Sequence, residues 1–127
     1  MTEQEAPRGA LTVRISAMPA DTNANGDIFG GWVLSRMDQA GGIAGVERAR
    51  GRVVTVAMDG VQFIRPVKVG DVLEVYTHVD SIGNTSMKIH VEAWARRFQT
   101  YRHEKVTDAN FTFVAIDDHG KPRPVPK

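Results

Sequence analysis

The chain has 127 residues, enough to bury one core without staples, so a single domain over 1–127 is expected. With 16 basic and 15 acidic residues its formal charge is +1, which argues against nucleic-acid binding driven by bulk charge. Cysteine is absent, which excludes disulfides, thiolate nucleophiles and thiolate metal sites together.

Residues 1–9 read as a flexible lead-in. MTEQEAPRGA lacks the basic start and apolar core of a signal peptide, and no apolar run is long enough to span a membrane. A cytoplasmic protein without a membrane partner is therefore expected. LTVRISA then alternates as a strand, with Leu11, Val13 and Ile15 on one face. MPADTNANGDIF, rich in Pro, Asp, Asn and Gly, reads as a loop of turns. GGWVLSRMDQAGGIAGVERA follows with helical spacing from Gly30 to Arg48, and Arg48, Arg50 and Gly51 suit a helix C-terminus.

Four strands come next. RVVTVAMDGVQFI runs from Arg52, RPVKVGD turns, DVLEVYTHVDSI runs from Asp71, and IGNTS is a hairpin turn. TSMKIHVEAWARRF sets Met87, Ile89, Val91, Ala93 and Ala95 on one face, against Lys88, His90, Glu92, Trp94 and Arg96 on the other. EKVTDANFTFVAID is the last strand, and the proline-rich tail KPRPVPK, 121–127, reads as frayed. A strand, one long helix and four strands with short connections predict an α+β fold. A curved antiparallel sheet of about five strands wraps a central helix, the hotdog arrangement.

The helix carries two oddities. Five glycines lie within it, each less favourable there than alanine by up to ~1 kcal/mol. Leu34, Asp38, Gly41, Gly42 and Gly45 share one side, and close approach of backbones is the plain reading of those glycines. Asp38 is a poor interior helix residue. It either caps a loop or pairs with Arg36 or Arg48, or it is partly desolvated, with a raised pKa, and acts as a general base or nucleophile.

MPADTNANGDIFGGWVLSRMDQAGGIA, followed by GRVVTVAMDGVQFIRPVKVGD, resembles the acyl-CoA thioesterases of the hotdog fold, most of all the bacterial YciA type, which are related to the brain acyl-CoA hydrolases. The resemblance runs from about Leu11 to Pro124. It implies hydrolysis of an acyl-CoA of short to medium chain to a free acid and CoA, with CoA as part of the substrate and no separate cofactor. It also implies a homodimer, commonly assembled as a trimer of dimers. By position it places the catalytic pair on Asn23 of one subunit and Asp38 of the other.

Thioester hydrolysis needs a donor near the carbonyl oxygen. Gly30 and Gly31 open the helix, where backbone N–H groups are unpaired and the dipole is positive, so they offer an oxyanion site or, as readily, a tight loop-to-helix turn. For the CoA phosphates the candidates are Arg65, Lys68, Arg96, Arg97, Arg102 and Lys105, with the turn Gly83, Asn84, Thr85 and Ser86. Arg65 is favoured because FIRPV sets it at a strand end. A solvated surface charge is the alternative for each basic residue. Asp59 and Gln62 read as sheet-edge or interface residues, and Trp32 and Trp94 as packing residues rather than an acyl pocket.

His78, His90, His103 and His119 lack metal-ligand spacing, so no metal is expected. No histidine lies between Leu11 and Gly51, which disfavours a hotdog dehydratase. A non-catalytic acyl-CoA sensor is the other competing reading, and the presence of both Asn23 and Asp38 argues against it.

Overall fold

The computed structural model describes residues 6–127. Its elements are β1 (Ala10–Ser16), a short 3-10 turn (Pro19–Asp21), α1 (Gly30–Ala49), β2 (Val53–Asp59), β3 (Val72–Ile82), β4 (Ser86–Arg96) and β5 (His103–Ala115). The strands form one antiparallel sheet in the order β1-β3-β4-β5-β2, so β1 and β2 are its two edges. The helix packs against all five strands.

The period-2 pattern of β4 is realised as expected. Met87, Ile89, Val91, Ala93 and Ala95 are all fully buried and meet Met37, Leu73, Val75, Phe111 and Phe113 in the core beneath α1. The opposite face of β4 is less polar than its composition suggests. Trp94 is buried there, stacked on His103 with ring centroids 4.7 Å apart, and its Nε1 donates to Glu92 at 2.9 Å.

Two strand expectations are corrected. Leu11 does not share a face with Val13 and Ile15, because the pairing with β3 slips between Leu11 and Val13 and leaves Leu11 exposed. β2 stops at Asp59 rather than running to Ile64, since Gly60 takes a φ of +76°. A second slip, between Thr55 and Ala57, turns β2 at Val56.

The tail is not frayed. Arg123 N–H donates to Ala115 O at 2.9 Å, Val125 N–H donates to Asn84 O at 2.8 Å, and Arg48 Nη1 donates to Pro126 O at 2.6 Å. The Arg123 guanidinium donates to Ala49 O at 2.8 Å and to Ile116 O at 3.1 Å, so the tail caps the C-terminus of α1. That cap explains Gly51, where a Cβ would lie 2.5 Å from the Arg123 guanidinium. The left-handed residue that ends the helix is Arg50, at φ 55°. Of the lead-in, residues 1–5 lie outside the described region, whereas Arg8 is tied down by Asp80 at 2.8 Å.

Candidate active site

The inward stripe of α1 is Val33, Met37, Ala40, Gly41, Gly45 and Ala49, one position away from the stripe expected. Asp38 therefore lies on the shoulder of the helix, half-buried, at the mouth of a groove lined also by Gly42, Ile43, Val46, Val53, Thr55 and Phe113. Thr55 Oγ1 donates to Asp38 Oδ1 at 2.6 Å. Arg36 instead donates to Ser35 and lies over the Trp32 ring, and Arg48 holds the tail, so neither arginine pairs with Asp38. Thr55 is the site residue that sequence reading missed. It stands 17 positions from Asp38, and only the docking of β2 beside α1 joins them.

Asn23 lies elsewhere in the same chain. It lines a second cavity, of about 290 Å³, with Asp27, Gly30, Phe63, Ile64 and Arg65. Its Oδ1 accepts from the N–H groups of Asn25, at 2.9 Å, and Asp27, at 3.1 Å. Two backbone donors fix which amide atom is the oxygen and leave Nδ2 to donate elsewhere. Asn23 and Asp38 thus line different cavities and are not brought together within one chain.

The two opening glycines differ from those of the helix middle. Neither Gly30 nor Gly31 has a left-handed φ, so a tight turn does not require them. A Cβ on Gly30 would sit 3.4 Å from the Phe63 ring, and one on Gly31 would meet nothing within 4 Å. By contrast, a Cβ on Gly41 would lie 2.8 Å from the Phe113 ring, and one on Gly45 would lie 3.3 Å from Val53. Close packing accounts for Gly41 and Gly45 but not for Gly31. The first-turn N–H groups at Gly30 and Gly31 carry the positive end of the helix, next to Asn23.

The basic candidates separate clearly. Arg65 is exposed, lines the Asn23 cavity and is steadied by its bond to Lys105 O at 2.8 Å. Lys68 pairs with Asp27. Arg97 is engaged in a structural network. It bonds Asp71 and Glu104, each at 2.7 Å, and Pro66 O at 2.9 Å, with its side chain 17% exposed. Burial works against its charge, but the bonds to Glu104 and Asp71 outweigh that and push its pKa up. The Arg97 guanidinium is thus engaged by Asp71, Glu104 and Pro66 O, whereas that of Arg65 is steadied, among the described residues, only by Lys105 O. Arg96 faces Glu74 at 3.7 Å, and Arg102 faces Glu104 at 3.8 Å.

The turn Gly83, Asn84, Thr85 and Ser86 sits beside the tail. Gly83 N–H donates to Ser86 O, and Thr85 O accepts from Ala115 N–H. Ten positions of β5 separate Lys105, next to Arg65, from Ala115, next to this turn. At the rise of a strand that is roughly 30 Å. One chain cannot bring Arg65 and the turn onto the same phosphates.

His90, Glu92 and Asp108 come within 4.8 Å of one another on the outer sheet face, a grouping that sequence spacing does not reveal. Glu92 already accepts from Trp94 and faces His90, and Asp108 is paired with Lys105. Trp32 and Trp94 line neither of the two cavities. No helix among the described residues is long and apolar enough to cross a membrane.

Comparison with known proteins agrees with this architecture. The profile of the Thioesterase superfamily matches residues 25–97. The chain is 49% identical to the acyl-CoA thioester hydrolase YciA of Salmonella typhimurium, over 98% of this chain and 96% of that one. It superposes on HI0827, a hexameric broad-specificity acyl-coenzyme A thioesterase solved as an aspartate-to-alanine mutant, with TM-score 0.92 and 48% identity, covering 94% and 88% of the two chains. It also superposes on an acyl-CoA hydrolase of Staphylococcus aureus solved with butyryl coenzyme A, with TM-score 0.83 and 33% identity, covering 90% and 70%. That enzyme has been solved as an Asn→Ala and as a Thr→Ala mutant, and the two altered positions are as far apart in its chain as Asn23 and Thr55 are here. This chain belongs to the thioesterase superfamily and has its hotdog fold.

Proposed function

We propose that the protein hydrolyses acyl-CoA thioesters to free CoA and a short- to medium-chain acid, with Asp38 as the general base. The observation that carries this reading is the Asp38 carboxylate itself, aligned by Thr55 at the mouth of an apolar groove that has room for water and an acyl chain. Asp38 takes a proton from water as its oxygen attacks the thioester carbon. The carbonyl oxygen gathers negative charge against the N–H groups of Gly30 and Gly31 and the amide of Asn23. The C–S bond then breaks, and the departing CoA sulfur takes the proton that Asp38 holds. CoA is part of the substrate, and no separate cofactor enters the scheme.

The full site belongs to two copies of the chain. β2 is an edge strand whose outer side is exposed, with Val54, Val56 and Met58 all 40% exposed or more. An antiparallel two-fold pairing of β2 reverses its direction across the interface. The end near Phe63 and Ile64, which lines the Asn23 cavity, then faces the partner's end at Val53 and Thr55, which lines the Asp38 groove. The same reversal brings Arg65 toward the partner's turn at Thr85 and Ser86, a better arrangement for one CoA than either end alone. Such dimers associate further into a hexamer in this reading. The scheme needs neither nucleic acid nor membrane and is compatible with a cytoplasmic protein.

The test is release of free thiol across a panel of acyl-CoA esters, for the native protein, Asp38→Asn and Asn23→Ala. Turnover by the native protein, lost in both variants and partly regained when the two are mixed, is expected. Binding of esters with no thiol released from any of them would make the protein a sensor and remove the hydrolytic reading.

A further inference from the structure

Four of the five glycines of α1 have a stated reason or place: Gly41 and Gly45 in packing, and Gly30 and Gly31 at the helix start, where their N–H groups open the first turn. Gly42 has none within the chain. Its φ is not left-handed, and a Cβ built on it would meet only the Phe113 ring edge, at 4.0 Å. Alanine would make the better helix, and no neighbouring atom refuses it. Nothing in this chain fills the space over Gly42.

That space is part of the Asp38 groove. Beyond Asp38 and Thr55 the wall is mostly apolar, formed by Ile43, Val46, Val53 and Phe113 with Gln39 and Glu47 among its lining, and the groove has a volume of about 460 Å³. Asp38, Gly42 and Val46 follow one another a turn apart on the helix. From Asp38 to Val46 the axis advances about 12 Å, the length of a medium acyl chain. We infer that Gly42 is a specificity-determining residue: the acyl chain of the thioester runs from Asp38 across Gly42 toward Val46, and the missing side chain leaves room for it. The inference rests on the hydrolytic reading above and adds to it the path of the acyl group.

A wider residue at Gly42 blocks that path one turn beyond the reacting carbon, so it penalises long chains more than short ones. Each methylene kept out of the groove forfeits about fourfold in affinity. The experiment measures kcat/KM for straight-chain esters from acetyl to lauroyl in the native protein, Gly42→Ala and Gly42→Leu, with oligomer mass and melting temperature recorded for each. The expected result is a lauroyl-to-acetyl ratio lowered at least tenfold in Gly42→Leu, with Gly42→Ala between it and native, at unchanged oligomer mass. An unchanged ratio in assembled protein overturns the inference. So does dissociation of either variant, because Gly42 would then be making room for the partner's chain. If Gly42→Leu does not fold, the ratio in Gly42→Ala decides. Absence of turnover by the native protein on every ester would instead sink the hydrolytic reading, a result distinct from an unchanged ratio.

Discussion

Thr55 and Asp38 face each other across the seam between β2 and α1, with the threonine hydroxyl donating to one carboxylate oxygen at 2.6 Å. The bond fixes the orientation of the carboxylate, which lines the groove, and engages only one of its two oxygens. Asp38→Asn keeps the shape and removes the base, so a loss of about 10²–10⁴ in kcat is expected with the melting temperature nearly unchanged. Thr55→Ala keeps the base and frees its rotation. A hydrogen bond to a charged group is worth about 1.5–3 kcal/mol, so kcat should fall about 10–100-fold with KM little altered. Steady-state kinetics of both variants check this, and a Thr55→Ala protein with native kcat would remove the positioning role. Thr55→Ser should recover most of the rate.

Val56 stands where β2 slips in register against β5, and it is 56% exposed on the open edge of the sheet. A charge there would be buried without a partner once two edges pair. Val56→Asp should therefore yield monomers on light scattering, with thiol release lost although Asp38 and Thr55 are untouched. An assembled and active Val56→Asp protein would place the dimer contact elsewhere.

Gly31 and Gly41 should respond in opposite ways to the same added methyl group. At Gly41 the methyl would meet the buried Phe113 ring at 2.8 Å. Overpacking of that kind costs about 1–3 kcal/mol, offset in part by the helix propensity of alanine. Gly41→Ala should melt several degrees lower while the folded protein keeps its activity. At Gly31 nothing lies within 4 Å, so Gly31→Ala should melt at or above the native temperature. Its methyl would crowd the donors at the helix start, and a misplacement of that size lowers kcat by up to about 10²-fold. Calorimetry and kinetics on the two variants separate packing from chemistry.

These contrasts show where the sequence was legible. The period of β4 places five consecutive inward residues correctly, because burial on one sheet face leaves a period-2 trace in the chain itself. The bounds of the helix are legible from the turn-rich loop before Gly30 and the basic, glycine-ended stretch after Arg48, although its buried stripe lies one position from the one expected. Asn23 and Asp38 stand out because amide and carboxylate are unusual in their local settings. The slips at Leu11 and Val56 leave no such trace, since no glycine marks either one. Arg97 looks like any strand-end arginine until folding delivers Asp71, from 26 positions away, and Glu104. The tail misleads through its prolines, which lack donors. Its order comes instead from Arg123 reaching α1 across 74 positions.

Arg123 therefore supplies a prediction of its own. It bonds Ala49 O at the end of the helix and Ile116 O just after β5, so one guanidinium ties the two together. Arg123→Ala should destabilise the fold by about 1–3 kcal/mol, read as a lower denaturant midpoint at unchanged slope. Removing the guanidinium also frees the space beside Gly51, so Gly51→Ala should be tolerated in the Arg123→Ala background and not in the native one. Equal effects of Gly51→Ala in both backgrounds would dissociate the glycine from the cap.

The outer face of the sheet makes the fold sensitive to acid. Burial pushes the Glu74 carboxyl up, but the Arg14 hydrogen bond and the charges of Arg96, His103 and Arg14 outweigh it and hold its pKa below 4.5. Glu92 is likewise raised by burial and brought below 4.5 by hydrogen bonds from Trp94, His90 and the Arg8 backbone. For His103, burial and the nearby Arg96 charge lower the pKa from 6.5 and outweigh the attraction of Glu74, whose Oε1 lies 2.9 Å from Nε2. In all three the folded pKa lies below the unfolded one, so the unfolded chain binds more protons and stability rises with pH. The His103 contribution is complete above pH 6.5 and declines as pH falls toward its folded value. The contributions of Glu74 and Glu92 are complete above pH 4.5 and are lost as pH falls through their folded values. Denaturant midpoints should thus decline gently below pH 6.5 and more steeply below pH 4.5. Replacing His103 by phenylalanine keeps a ring against Trp94 and removes the titration, so the gentle upper phase should vanish while the lower one remains. A His103→Phe protein with the native slope between pH 6.5 and 4.5 would remove His103 as the source of that phase.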